Sequence, residues 1–134
     1  MSEPDIGKGQ AFGKRLGYAL QGLRAAWRQE ASVRTHAVAT VALVGVLAFT
    51  RAPALWWAVM ALTVGLVVSC ELMNTAVEAL ADHLHPGAHP AIGLTKDVAA
   101  GAVLVATLAS LAVGLAFAFG HLWPWAVMRF GLGA

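Results

Sequence analysis

Four polar residues recur at helical spacing near the middle of the sequence: Glu71, Asn74, Glu78 and Asp82. At about 100° per residue they lie within roughly 80° of arc on one helix face. Carboxylates near hydrocarbon are costly and are normally paired, protonated or functional. We therefore expect a functional site on this face, in preference to polar groups that only cap a helix bundle. Because three carboxylates on one face repel each other, a metal ion or basic side chains should lie between them.

Glu30 is expected to complete this site. If the helix that begins near residue 11 continues, Glu30 lies in line with Phe12 and Leu23 on the apolar face and points toward the other helices. Glu30 meeting Glu78 would offer carboxylate oxygens only. That set suits Mg²⁺, which takes one or two carboxylates and completes its shell with water and substrate phosphates. Zinc would require histidine or cysteine.

Further candidate ligands follow the polar face. His83, His85 and His89 show no zinc-type spacing, so they are read as solvated loop residues, with a nucleotide contact by His89 as the sharper alternative. Lys96 and Asp97 open the next helix, where backbone amides and the dipole favour anions. Lys96 is therefore either a phosphate clamp or an interfacial anchor. Neither a P-loop nor a protein-kinase glycine-rich loop with its catalytic motifs occurs.

Hydrophobic helices must position these groups. The 134 residues are 59% hydrophobic and 12% charged, and a soluble domain of this size could not bury so much apolar surface. We predict an all-α membrane protein with an N-terminal amphipathic interfacial helix and three transmembrane helices. The interfacial helix covers about 11–30 and the spans about 32–50, 53–82 and 96–123, with a loop at 83–95. A tail of 1–10 and a C-terminal tail of 125–134 flank the single domain 11–124.

Charge and small residues refine this arrangement. Seven of the nine Lys and Arg residues lie before the first span, in its first turn or in the 82–97 loop, which predicts that the N-terminus and this loop are cytoplasmic. The net charge of +2 is too small to indicate a nucleic-acid partner. In the third span, small residues that let helices approach closely recur every four positions: Ala102, Ala106, Ser110, Gly114 and Ala118.

Three sequence blocks resemble the prokaryotic diacylglycerol kinase family. They are ELMNTAVE at 71–78 with Asp82 following, KDVAAGAV at 96–103 and GLRAAW at 22–27. The resemblance covers about residues 12–120. It implies an integral-membrane enzyme of the bacterial cytoplasmic membrane that transfers the γ-phosphate of ATP to diacylglycerol and gives phosphatidic acid. It also implies a homotrimer with sites shared between neighbouring subunits.

The resemblance implies a role for each matching residue. Glu71 would be the general base that accepts the proton of the lipid hydroxyl, and Asn74 would orient Glu71 or a phosphate oxygen. Glu30 and Glu78 would hold the Mg²⁺ that bridges the phosphates of ATP. ATP contacts are expected at Tyr18, Glu30, Glu78, Gly87, Ala88, His89, Lys96 and Asp97. Lipid contacts are expected at Arg24, Trp27, Ala31, Arg34, Glu71 and Ala100, with Asp82 supporting the site.

Some residues depart from the better-known Gram-negative pattern. Ala11 stands seven residues before Tyr18, where those members carry an arginine. His89-Pro90, and His36 shortly after Arg34, look more like the branch that includes undecaprenol kinases, so undecaprenol is the alternative substrate. A small proton-coupled transporter using Glu71 is an alternative of another class, but it would not need Lys96-Asp97. A non-enzymatic scaffold would leave the acidic face unexplained.

Overall fold

The computed structural model describes residues 11–131, and nearly all of them are helical. The elements are α1 (Phe12–Gln29), α2 (Ala31–Phe49), α3 (Ala54–Leu84), α4 (Pro90–Phe117), a π-helical turn (Ala118–Leu122) and α5 (Trp123–Phe130). Three segments are long and apolar enough to cross a membrane: α2, α3 and the continuous helical segment Pro90–Phe130. The predicted all-α membrane protein with three transmembrane helices is therefore confirmed.

The chain turns from α1 into α2 at an elbow formed by Glu30. This residue has an extended backbone, with φ −104° and ψ 119°, so α1 ends at Gln29. The expectation that the helix continues through residue 30 is wrong at this point. Helical periodicity therefore does not align Glu30 with Phe12 and Leu23, and the direction of its carboxylate depends on the elbow.

Arg34 ties the two sides of the elbow together. Its guanidinium group donates hydrogen bonds to the carbonyl oxygens of Trp27, at 2.9 Å, and Arg28, at 3.3 Å. These carbonyls belong to the last turn of α1, where no further helical N–H is available to them. A basic side chain is well suited to this place because it satisfies carbonyl oxygens and complements the negative end of the helix dipole.

α1 is available to a membrane surface. It packs against α2, and within the described residues no extensive packing joins it to α3 or α4. Its predicted apolar face is exposed at every position: Phe12, Leu16, Leu20, Leu23 and Trp27. An amphipathic basic helix with such a face buries it at the boundary between headgroups and acyl chains.

α2 and α3 differ in length. At 1.5 Å per residue, the 19 residues of α2 extend roughly 28 Å, close to the thickness of about 30 Å of a hydrocarbon core. The 31 residues of α3 extend roughly 46 Å. The last turns of α3 therefore reach past the hydrocarbon, and they carry Glu78 and Asp82.

The third span begins at Pro90, six residues before the predicted start at 96. His89 caps this helix, since its ring Nδ1 accepts a hydrogen bond of 3.3 Å from the Ala91 N–H. Pro90 follows at the first helical position, where its fixed φ suits the helix and its missing N–H costs nothing. Proline and glycine in 86–93 thus mark a loop of only a few residues and the first turn of a helix.

Helical structure also passes Pro124, where the span was predicted to end, and reaches Phe130 in the predicted tail. The Trp123 N–H bonds to the carbonyl of Ala118, five residues back, in the π-helical turn that precedes the proline. An interior proline normally clashes with the carbonyl four residues earlier. We attribute the continuation of the helix past Pro124 to the π-helical turn. Its wider hydrogen-bond spacing shifts the backbone register at the place where the proline ring would otherwise clash.

The two ends of the helices are packed differently. A buried cluster of Leu47, Ala52, Met60 and Phe117 joins the end of α2 to the start of α3 and the end of α4. We call this the arginine end, because Arg51 and Arg129 lie there. The opposite end, which carries Glu30, Glu71, Glu78, Asp82 and the loop before Pro90, is called the acidic end.

The small-residue stripe of the third span is used inside the chain. α3 and α4 share the most extensive packing between helices, and Ala106 is buried at only 4% exposure. Ser110 and Gly114 line a cavity between α2, α3 and α4. The stripe therefore brings helices of one chain together.

Candidate active site

The four-residue polar face lies on one uninterrupted helix, α3. Counted from Ala54, Glu71 lies roughly 26 Å along the helix axis and Glu78 roughly 36 Å along it. With a hydrocarbon core of about 30 Å, Glu71 falls at the edge of the apolar region and Glu78 beyond it. The face thus runs from membrane depth into the aqueous side.

Glu71 contacts a histidine on the neighbouring helix. The Nε2 atom of His36, in the second turn of α2, lies 3.4 Å from Oε1 of Glu71. The side chain of Glu71 is 14% exposed and that of His36 is 30% exposed, so water competes little for the contact. His36 was not among the predicted site residues. The sequence does contain a signal for it, because His36 is an ionisable side chain within an apolar span, and such residues usually have a functional partner.

Asn74 is held by Glu78 and not by Glu71. Its Nδ2 group donates a hydrogen bond of 3.0 Å to Oε1 of Glu78. Because an ionised carboxylate only accepts, this bond fixes which side of the amide faces Glu78. The Oδ1 atom on the other side is buried and has no partner among the described residues. A buried acceptor left unpaired costs about 1–3 kcal/mol, so this atom is suited to receive a donor from a ligand.

An apolar groove runs beside Asn74. It has a volume of about 450 Å³, lies between α3 and α4, and is lined almost entirely by carbon, including Met73, Val77 and Val98. Cys70 is half-buried in its wall. A groove of this composition can take an acyl chain whose polar end lies next to the polar face of α3.

A second cavity, of about 640 Å³, opens where α3 ends and α4 begins. Within it the Lys96 Nζ donates to the Asp82 Oδ1 at 2.8 Å. A basic side chain therefore contacts the acidic face at its aqueous end, where Lys96 pairs with Asp82. Four of the predicted ATP contacts line this cavity together: Gly87, Ala88, His89 and Lys96. Tyr18 and Asp97 do not line it.

The two residues of the predicted metal pair lie on different elements of the fold. Glu30 lies at the elbow between α1 and α2, and Glu78 lies on α3, against which α2 packs. Across residues 11–131 no three His, Cys, Asp or Glu side chains gather closely enough to hold a metal ion. The available donors are nevertheless carboxylate oxygens, which fit Mg²⁺, since that ion needs only one or two of them.

The predicted lipid contacts are distributed over four helices: Arg24 and Trp27 on α1, Ala31 and Arg34 at the start of α2, Glu71 on α3 and Ala100 on α4. Arg24, Trp27 and Ala100 are exposed. Arg34 is engaged with the carbonyls at the end of α1, so its part in the fold is to hold the elbow.

These features define a small polytopic helical membrane protein with a carboxylate-rich site at one membrane interface. The sequence of residues 17–118 matches the family model described as prokaryotic diacylglycerol kinase. The chain belongs to the prokaryotic diacylglycerol kinase family, and it is an enzyme of the lipid-kinase class. The matched segment contains both halves of the site, from Glu30 through Glu71 and Glu78 to Lys96.

Some similar proteins are named diacylglycerol kinase, and one is named undecaprenol kinase. The diacylglycerol kinase of Escherichia coli strain K12 is 32% identical over 108 residues, which cover 81% of this chain and 88% of the relative. A diacylglycerol kinase of Synechocystis is 37% identical over 98 residues, covering 72% of this chain and 56% of the relative. The undecaprenol kinase of Bacillus subtilis is 33% identical over 104 residues, covering 78% and 85%.

Proposed function

We propose that this protein transfers the γ-phosphate of ATP to the hydroxyl of diacylglycerol and forms phosphatidic acid and ADP. The observation that carries the proposal is the graded polar face of α3. It places a carboxylate at the membrane edge, where a lipid hydroxyl lies, and leads to a polar cavity with a lysine on the aqueous side, where a nucleotide would bind. A transporter or a scaffold would have no use for the second feature.

Glu71 is proposed as the general base. Its carboxylate takes the proton of the lipid hydroxyl while that oxygen forms a bond to the γ-phosphorus, and the bond from phosphorus to the β,γ-bridging oxygen breaks as ADP leaves. The proton then passes from Glu71 to water. General-base catalysis of this kind contributes about 10²–10⁴-fold to the rate.

His36 is proposed to position Glu71. The contact of 3.4 Å links α2 to α3 and restricts the rotamers of the carboxylate. A base must stand within hydrogen-bond reach of the proton it accepts, so the angle of the carboxylate matters as much as its basicity. His36 acts through Glu71 and touches neither phosphate nor lipid in this scheme.

The phosphate side of the site is assigned to Glu30, Glu78, Asn74 and Lys96. Glu30 and Glu78 would hold Mg²⁺, which would supply positive charge to offset the charge of the ATP phosphates. Asn74 holds the Glu78 carboxylate in place through the hydrogen bond of 3.0 Å. Lys96 would exchange its bond to Asp82 for a phosphate oxygen, because both partners are anionic acceptors within its reach.

A homotrimer with shared sites is part of the same proposal. The family resemblance supports it, and Glu30 and Glu78 lie on different elements, the elbow and α3, so two subunits could each contribute one of them. The test mixes two inactive variants, Glu30→Gln and Glu78→Gln, before reconstitution. Recovered transfer in the mixture supports shared sites, whereas a mixture as inactive as its components contradicts them.

Undecaprenol is the second candidate substrate. The observation in its favour is the similarity to the Bacillus subtilis undecaprenol kinase, at 33% identity, together with the histidines at positions 36 and 89. Its hydroxyl would enter at the same depth, next to Glu71.

The experiment that tests the function uses the purified protein in micelles with labelled ATP, Mg²⁺ and one lipid at a time. We expect labelled phosphatidic acid with diacylglycerol. If labelled product formed only with undecaprenol, the substrate would be undecaprenol and the proposed phosphoryl transfer would stand. If neither lipid accepted phosphate while the protein remained folded and bound nucleotide, the kinase proposal would be wrong. Omission of Mg²⁺ provides the blank.

A further inference from the structure

We propose that the arginine end binds the phosphate headgroup of an anionic membrane lipid between Arg51 and Arg129. Both side chains line one cavity of about 380 Å³, together with Phe49 and Trp125. This site lies at the opposite end of the helices from Glu71, and it does not depend on the reaction proposed above.

The backbone at Arg51 adopts a conformation that glycine would favour. The Arg51 N–H bonds to the carbonyl of Ala48 at 3.2 Å, and the Ala52 N–H bonds to that of Leu47 at 2.9 Å. This pair of bonds is the Schellman closure of α2, which places Arg51 in the left-handed region at φ 51°. Among residues 11–131 it is the one residue other than glycine with positive φ. A side chain with Cβ is strained there, so this arginine is maintained against the local preference.

Aromatic contacts hold the second arginine beside the first. The rings of Phe49 and Trp125 pack edge to face with centroids 5.5 Å apart, which fixes α5 against the end of α2. Arg129 follows Trp125 by four residues and so lies on the same face of α5. The helical continuation through the π turn is what brings α5 to this position.

Among the residues that the structure describes, the arginine end contains no acidic side chain to neutralise this pair. The five acidic residues in 11–131 are Glu30, Glu71, Glu78, Asp82 and Asp97, and all lie at or near the acidic end. Neither guanidinium forms an ion pair or a side-chain hydrogen bond with another described residue. Two cations in one cavity repel each other unless an anion lies between them. Guanidinium groups bind phosphate through paired hydrogen bonds.

The surroundings of the cavity favour a lipid over free phosphate. Phe49 is 75% exposed, and the neighbouring surface of α5 presents the exposed residues Trp123, Met128 and Phe130. Tryptophan and other aromatic side chains lie at the level of lipid headgroups. A phosphodiester between the arginines would place its acyl chains along this apolar surface, and inorganic phosphate would gain nothing from it.

The test measures lipid binding and thermal stability of the full-length protein in uncharged detergent micelles. Native mass spectrometry counts bound phosphatidylglycerol, with phosphatidylcholine and inorganic phosphate as separate additions. We expect the double variant Arg51→Gln/Arg129→Gln to bind phosphatidylglycerol about tenfold more weakly, or worse, since each lost bond is charge-assisted. The matched control Arg15→Gln/Arg28→Gln removes the same charge at the other end of the molecule and should lose much less.

Arg51→Gly separates binding from folding. This variant relieves the left-handed strain, so we expect a higher Tm without lipid but a smaller gain in Tm when phosphatidylglycerol is added. Equal losses of lipid in the two double variants would show that net charge alone is responsible and would overturn the proposal. Displacement of the lipid by inorganic phosphate would overturn the lipid assignment. Loss of phosphoryl transfer without any change in lipid binding would contradict the independence of the two sites.

Discussion

The acidic end and the arginine end use the same kind of contact for different purposes. In each, a histidine reaches across to a neighbouring helix: His36 contacts Glu71 at 3.4 Å, and His121 contacts the Thr50 Oγ1 at 3.0 Å. His121 is also stacked on Phe117, at 5.3 Å between ring centroids, and Thr50 is only 5% exposed. The second contact therefore lies next to the buried cluster, where its groups are paired and packed.

The acidic end is more open. It contains two grooves, the Oδ1 of Asn74 is buried without a partner among the described residues, and the Lys96–Asp82 pair is exposed. An unsatisfied buried acceptor lowers the stability, and an exposed ion pair adds little to it. The comparison shows that the buried packing lies at the arginine end of the three spans, whereas the unpaired and exposed polar groups that could bind substrates lie at the acidic end. Substitutions should therefore divide into those that reduce transfer and those that reduce stability.

The largest expected effect comes from Glu71→Gln. The amide has nearly the same shape but cannot accept the hydroxyl proton, so we expect kcat to fall by about 10²–10⁴-fold. Nucleotide binding and Tm should remain close to those of the wild type. Arg129→Gln at the arginine end is the matched control and should leave transfer intact. Near-normal turnover of the Glu71 variant would remove this residue from the role of base.

Asn74→Ala should have the next largest effect. It removes the donor that holds the Glu78 carboxylate, and loss of such an outer partner typically lowers metal affinity about 10- to 100-fold. The measurement is the Mg²⁺ concentration that gives half-maximal transfer. Val64→Ala, on the same face of α3 but within the apolar region, is the control. A reduced Tm with unchanged Mg²⁺ dependence would mean that Asn74 only supports the helix.

Lys96→Met tests whether the lysine serves ATP or the fold. If Lys96 binds phosphate, the variant should raise the KM for ATP by roughly tenfold, the value of one charge-assisted bond. Asp82→Asn removes the same ion pair but leaves the lysine, so its KM for ATP should change little. Its exposed ion pair is worth at most about 1 kcal/mol of stability. Equal effects of the two substitutions on KM would show that the pair acts as one structural unit.

The sequence was sufficient to predict the membrane spans and the polar face, because both are periodic. A helix that crosses lipid needs about 20 apolar residues, and that requirement located α2 and α3. Four polar residues at steps of three and four share a face wherever the helix is continuous, and no proline or glycine interrupts 66–84. The resemblance to the family is confirmed by the match over 17–118.

Helix boundaries were harder to predict because the same residue can begin, end or continue a helix. The sequence predicts a loop at Pro90, which instead begins α4, and a helix end at Pro124, where the helix instead continues after a π turn. No proline or glycine marks the elbow at Glu30, so helical periodicity alone predicts that α1 includes this residue, one position beyond its end at Gln29. The partner of Asn74 and the contact of His36 with Glu71 depend on the packing of whole helices, which local spacing does not specify.

His36 should give the smallest of these effects, and it shows whether the acidic end is positioned as well as charged. His36→Leu removes one hydrogen-bond partner of Glu71, so we expect kcat to fall about two- to tenfold, the value of a neutral or partly buried hydrogen bond. The KM for ATP should not change, because His36 does not line the cavity between the end of α3 and the start of α4, where ATP is proposed to bind. His36→Gln keeps a donor at a similar distance and should restore much of the rate.

The corresponding substitution at the arginine end, His121→Leu, should lower Tm instead and leave kcat unchanged, because His121 is packed on Phe117. If His36→Leu lowered Tm and His36→Gln failed to restore kcat, the histidine would be a structural link between α2 and α3, and the contrast between the two histidines would disappear.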